Sequence, residues 1–69
     1  MSEWIQLPWD LIILKKEDIE EAKVFHDEKG FGILMQVKNS PARMHEWRFK
    51  SKKMAQKMFL EFHKRLLDE

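Results

Sequence analysis

Apolar side chains alternate with polar ones through the middle of this chain and shift to a helical period after Ser51, and that change marks its elements. Trp4-Ile5-Gln6-Leu7 is a short apolar arm closed by Pro8, which cannot donate to a sheet ladder. Asp10 to Lys15 is aliphatic and partly β-branched, and predicts a strand. Glu17, Asp18, Glu20 and Glu21 follow as an acidic connection.

Residues 20 to 27 admit two readings. Ile19, Ala22 and Phe25 at three-residue spacing suit a helix closed by Gly30. Val24-Phe25-His26 favours a strand instead, and Asp27-Glu28-Lys29-Gly30 suits a turn with glycine in a left-handed conformation. That turn directly precedes Phe31 to Lys38, where Ile33, Met35 and Val37 alternate with Leu34, Gln36 and Lys38, so a hairpin is expected.

Asn39-Ser40-Pro41-Ala42 signals a second turn. From Arg43 to Lys50, His45, Trp47 and Phe49 fall on one face and Met44, Glu46, Arg48 and Lys50 on the other, the pattern of a half-buried antiparallel strand. Ser51 is a natural N-cap. Beyond it Met54, Ala55, Met58, Phe59, Phe62 and Leu66 fall within a stripe of about 140° on a helix running to about Leu67. Lys57, Glu61 and Arg65 sit at successive i,i+4 positions that support it.

The expected fold is α+β: a small antiparallel β-meander of three or four strands with one C-terminal α-helix packed on one face. It forms a single domain over 1–69, divided into an apolar N-terminal arm (1–9), the meander (10–50) and the helix (51–68).

Composition narrows the chemistry. With 69 residues, 43% hydrophobic and 36% charged, the chain is a globular domain that buries roughly 60% of its unfolded surface. It has no cysteine, hence neither disulfides nor thiolate metal sites. A deep substrate cleft would remove core that so short a chain can hardly spare, so an enzyme is not expected. The longest aliphatic run, Leu11 to Leu14, is far short of the ~20 residues of a membrane-spanning helix. Met1-Ser2-Glu3 brings no basic region ahead of an apolar stretch, so no secretory signal is expected and a cytoplasmic address is the default.

Candidate catalytic groups are sparse. Cys, Tyr and Thr are missing, and Ser2, Ser40 and Ser51 lie at a terminus, a turn and a cap, none in a G-x-S-x-G elbow or beside an evident base. His26, His45 and His63 lack the spacing of a helical metal motif and read as two half-buried strand residues and one on a helix surface. The acids at 17 to 21 lack the glycine of a calcium loop, and Gly30-Phe31-Gly32 is too short to cradle a phosphate. Gly32 more naturally marks a bulge or a place where a side chain packs over the backbone. Neither a metal, a cofactor nor a small-molecule substrate is expected.

Two binding signals remain. Trp4, Leu7 and Trp9 in the arm, with Leu60 and Leu67 off the main helix stripe, form an apolar excess suited to a protein partner or to self-association as a homodimer. Charge supplies the other signal. Residues 1–38 carry five lysines against eight acids, whereas residues 39–69 carry eight basic residues against four acids. Arg43, Arg48, Lys50, Lys52, Lys53 and Lys57 surround Trp47 and Phe49, a combination that also serves nucleic-acid binding. The primary expectation is a non-enzymatic regulator or adaptor that binds another protein. Nucleic-acid binding through the basic C-terminal half is the alternative.

Overall fold

A computed structural model describes residues 3–67. Strand β1 (Trp4–Gln6) pairs antiparallel with β2 (Ile13–Lys15), and a single 3₁₀ turn at Lys16–Asp18 leads into β3 (Ile19–Asp27), β4 (Gly30–Val37), β5 (Met44–Phe49) and helix α1 (Lys52–Leu67). β3, β4 and β5 form a three-stranded antiparallel meander in that order; β1 and β2 form a separate two-stranded ribbon. The fold is α+β, with α1 packed on one face of the meander. Position 68, where the helix was expected to end, lies outside the described residues.

Residues 19–27 are strand, not helix. The reason is the partner: Ala22, Val24 and His26 stand opposite Met35, Ile33 and Phe31, so the apolar positions of β3 and β4 share one face. Gly30 closes the hairpin with φ of 122°, whereas neither Glu28 nor Lys29 has positive φ. Asp27 Oδ1 accepts the Lys29 amide at 2.9 Å, the local bond expected of an aspartate opening a turn.

Two boundaries differ from the sequence pattern. The expected strand at Asp10–Lys15 begins only at Ile13, because residues 8–11 turn the ribbon. Asp10 Oδ1 accepts the Leu11 amide at 2.7 Å, and the Leu7 amide donates to the Ile12 carbonyl at 3.1 Å. The acidic connection is also shorter than expected, since Ile19, Glu20 and Glu21 already belong to β3. The possible fourth strand of the meander therefore pairs with the arm instead.

The core lies between the meander, α1 and the ribbon. β4 is its centre: Ile33 and Met35 are fully buried and Val37 nearly so, facing Phe62 and Ala55 of the helix. Ser51 caps α1 as expected, its Oγ accepting the Met54 amide at 3.1 Å. Met58, Phe59 and Leu66 are half-buried, but Met54 remains 44% exposed. It sits in the first helical turn at the margin of the stripe. No helix among the described residues is long and apolar enough to cross a membrane.

Candidate functional site

The ribbon is where the apolar excess becomes a surface. Strand alternation turns Ile5 and Leu14 inward along with Leu7, and turns Trp4, Gln6, Ile13 and Lys15 outward. Trp4 is 53% exposed, Ile13 59% and Leu11, at the turn, 84%. Trp4 lies diagonally across from Ile13, a separation an indole can span. The Lys15 ammonium sits 5.8 Å from the centre of the Trp4 ring and 3.5 Å from Glu17, so the outer face has an apolar middle and a charged end.

The five nominated docking residues separate. Leu7 is not available: it is 2% exposed and belongs to the core with Ile5, Met35, Val37 and Phe62. Trp9 is half-buried, edge-on to Trp47 at 5.4 Å and against Phe62 at 5.6 Å. Both were read as surface because an isolated arm has nothing to pair with. β2 supplies the missing backbone partners, and the inward face then closes on the sheet. Trp47 Nε1 donates to Asp10 Oδ2 at 3.0 Å, and Arg65 donates to the Gln6 carbonyl at 2.8 Å, so β5 and α1 both hold the ribbon. Trp4, Leu60 and Leu67 remain exposed, the last by 79%. Leu60 borders a shallow groove between α1 and β3 lined by Val24, Gln56, Phe59 and His63. Leu11 and Ile13 were missed, although the unalternating run Leu11 to Leu14 carried the signal.

The basic residues do not form one patch. Arg48 grips Asp27 with two bonds of 2.7 and 2.8 Å and Glu46 with a third of 3.0 Å, and its guanidinium carbon lies 4.9 Å from the Phe25 ring centre. The bond from Arg48 lowers the Asp27 carboxyl from 3.8 to about 2, and the same bond holds Arg48 more firmly in its charged form. Arg48 is thus committed within the protein. Arg43 and Lys50 flank opposite ends of β5, about 20 Å apart. Lys50, Lys52, Lys53 and Lys57 are exposed around the start of α1 and make no ion pair among the described residues.

The histidines do not converge. His26 faces Phe31 and His45 faces Met35 across β4, positions about 13 Å apart. Each is occupied locally: His26 stacks on Phe31, His45 on Trp47, and His63 lies edge-on to Phe59. Among the described residues no three His, Cys, Asp or Glu side chains are grouped to hold a metal. One expectation about serine needs correcting: Ser40 Oγ lies 3.3 Å from His45 Nε2, because the 38–43 turn folds back on β5. Among the described residues no carboxylate bonds to that imidazole. The geometry is that of a turn fastened to a strand.

No family model, curated protein or solved structure matches the chain.

Proposed function

We propose that this chain is a small non-enzymatic interaction module, a regulator or adaptor, that binds another protein through the outer face of its N-terminal ribbon. The observation that carries this reading is the bare outer side of a strand encoded to be covered on both. Leu11-Ile12-Ile13-Leu14 does not alternate, as strands buried on both faces do not. Ile12 and Leu14 pack on the core, while Ile13 stands in solvent diagonally across from Trp4 and Leu11 stands in solvent at the turn. An exposed indole with Ile13 diagonal to it and Lys15 beside it, and Leu11 near Arg65 at the turn end of the same ribbon, has the composition of an interface.

Nucleic-acid binding is the second reading, and what supports it is the lysine group Lys50, Lys52, Lys53 and Lys57 at the start of α1. Without Arg48 it has fewer cations for phosphate than the sequence offers, and Trp47 and Phe49 are half-buried against Trp9.

The test is capture from lysate by the wild-type chain and by a Leu11→Lys/Ile13→Lys variant, with and without nuclease. A stoichiometric protein band that resists nuclease and disappears with the variant is expected. Recovery that vanishes on nuclease treatment and is unaffected by the variant would transfer the function to the lysines.

A further inference from the structure

Among the described residues β3 has a hydrogen-bonded neighbour on one side only, and the opposite row of its N–H and C=O groups forms an edge of the sheet. The apolar groove of Val24, Phe59 and Leu60 runs beside that same edge, on the helix side of the sheet. We propose that a second copy of this chain pairs along β3 about a two-fold axis through Ala22, giving a continuous six-stranded sheet with both helices on one face. This surface is separate from the ribbon, and the inference stands or falls without it.

The order of charges on β3 argues for a second copy. Charged side chains usually guard an edge, because they meet like charges in most registers. On the sheet face away from α1, β3 presents Glu21, Lys23, Phe25 and Asp27. An antiparallel pair centred on Glu21 or Lys23 sets that residue against itself. Centring on Val24 sets Glu21 against Asp27. Two registers instead bring opposite charges together: the Ala22-centred one pairs Glu21 with Lys23 of the second copy twice, and the Phe25-centred one pairs Lys23 with Asp27 twice. Asp27 already binds Arg48 through both oxygens at 2.7 and 2.8 Å, whereas Lys23 and Glu21 share within the chain a single 3.9 Å contact between exposed groups that a partner can replace, which favours the Ala22-centred register.

In that register the small Ala22 side chains meet on the axis, on the helix side, where a larger residue would hold the two copies of α1 apart. The bulge between Ile19 and Glu21 ends regular pairing, so the seam runs only from about Glu20 to Val24. Backbone bonds over so short a seam need apolar burial beside them. Leu60, 60% exposed, and the groove it borders provide that at the same edge.

The experiment measures molecular mass in solution by sedimentation over a range of concentrations, with helical content followed by circular dichroism. Wild-type protein should move to twice the chain mass as concentration rises. Lys23→Glu sets like charges across the seam and should weaken the dimer about tenfold or more, while Glu21→Lys with Lys23→Glu should restore it. Ala22→Cys is a second readout in this cysteine-free chain. Directly opposed residues of an antiparallel pair are about 4.5–5.5 Å apart at Cα, within disulfide reach, so mild oxidation should cross-link it rapidly and leave Lys57→Cys largely monomeric. A monomer at every concentration overturns the proposal. So does a dimer unchanged by Lys23→Glu, or one lost only with the Leu11→Lys/Ile13→Lys change, which would seat the second copy on the ribbon.

Discussion

The three-stranded meander and the two-stranded ribbon are both antiparallel, each closing one face on the same core, yet their outer faces are finished differently. The meander turns Glu21, Lys23, Gln36, Glu46 and Arg48 outward around Leu34 and the 53% exposed Met44, and its one outward aromatic, Phe25, lies over Gly32 beneath the Arg48 guanidinium. The ribbon turns out Trp4, Leu11 and Ile13. A strand covered on one side needs alternation, and the meander keeps it except at Phe25, Leu34 and Met44, which charged side chains surround. The ribbon departs from alternation where its outer side is apolar, and that departure separates a solvated surface from one suited to contact.

The largest effects should come where the two regions share a core. Phe62 touches both, being fully buried beside Leu7 of the arm and Met35 of β4. Phe62→Ala should cost ~3–5 kcal/mol in urea unfolding, and Leu7→Ala ~2–5 kcal/mol. A Leu7→Ala variant as stable as wild type would mean the ribbon is an appendage. A single unfolding transition for both variants would mean ribbon and meander unfold together.

Next in size is a change confined to the meander. A Cβ at Gly32 would lie 2.5 Å from the Phe25 ring and nearer still to the Trp47 carbonyl oxygen. Gly32→Ala should therefore destabilise by ~1–3 kcal/mol through overpacking, although alanine ordinarily suits a folded chain better than glycine. Phe25→Leu should relieve part of that cost, because the ring is one of the two obstacles. Absence of any relief would place the whole clash on the backbone.

The meander was legible where its signals were local, whereas β3, whose sequence also suits a helix, is decided by its pairing with β4. Alternation from Phe31 to Lys38 and from Arg43 to Lys50 named the inward faces, Ser51 named the cap, and the Phe62 stripe named the helix. Gly32 read as either a bulge or a place where a side chain packs over the backbone, and Phe25 lies over it in a regular ladder. The ribbon was not legible, because its partners are set by tertiary pairing. An arm that reads as free is tied down by β2, which draws Leu7 and Trp9 inward and leaves Leu11 and Ile13 bare. Long-range pairs escaped for the same reason: Arg48 read as a phosphate ligand until Asp27, 21 residues earlier, was found holding it. Ser40 and His45 are close in sequence, but only the fold of the turn brings their polar atoms together.

A smaller and pH-dependent effect belongs to the solvated face. Asp27 has its carboxyl lowered from 3.8 to about 2 by the Arg48 bond. A group whose pKa falls on folding stabilises the native state fully above its unfolded value and loses that contribution as pH drops through its folded value. The stability difference between wild type and Asp27→Asn should thus be constant at neutral pH and shrink between about pH 4 and pH 2. Both partners are well exposed, so the difference should also diminish with added salt. A difference unaffected by either variable would mean that the Asp27 bond to the Lys29 amide in the turn, and not the charge pair with Arg48, is what the residue supplies.

The smallest effect on folding is expected from the change that should matter most for binding. Leu11 and Ile13 are 84% and 59% exposed, so lysine at both positions removes little buried area. The backbone bonds that hold the ribbon, Leu7 amide to Ile12 carbonyl and Lys16 amide to Glu3 carbonyl, do not involve these side chains. Leu11→Lys/Ile13→Lys should therefore shift unfolding free energy by no more than about 0.5 kcal/mol, measured in urea beside Leu7→Ala. The same change should weaken partner capture by more than ~1 kcal/mol for each side chain that acts as an anchor. A large loss of stability would show that the outer face is packed in the folded protein, and the contrast between ribbon and meander would collapse. Unchanged stability with unchanged capture would leave the contrast standing as surface chemistry and move the binding site to Leu60 and Leu67, where lysine substitutions on the exposed side of α1 can be read in the same two assays.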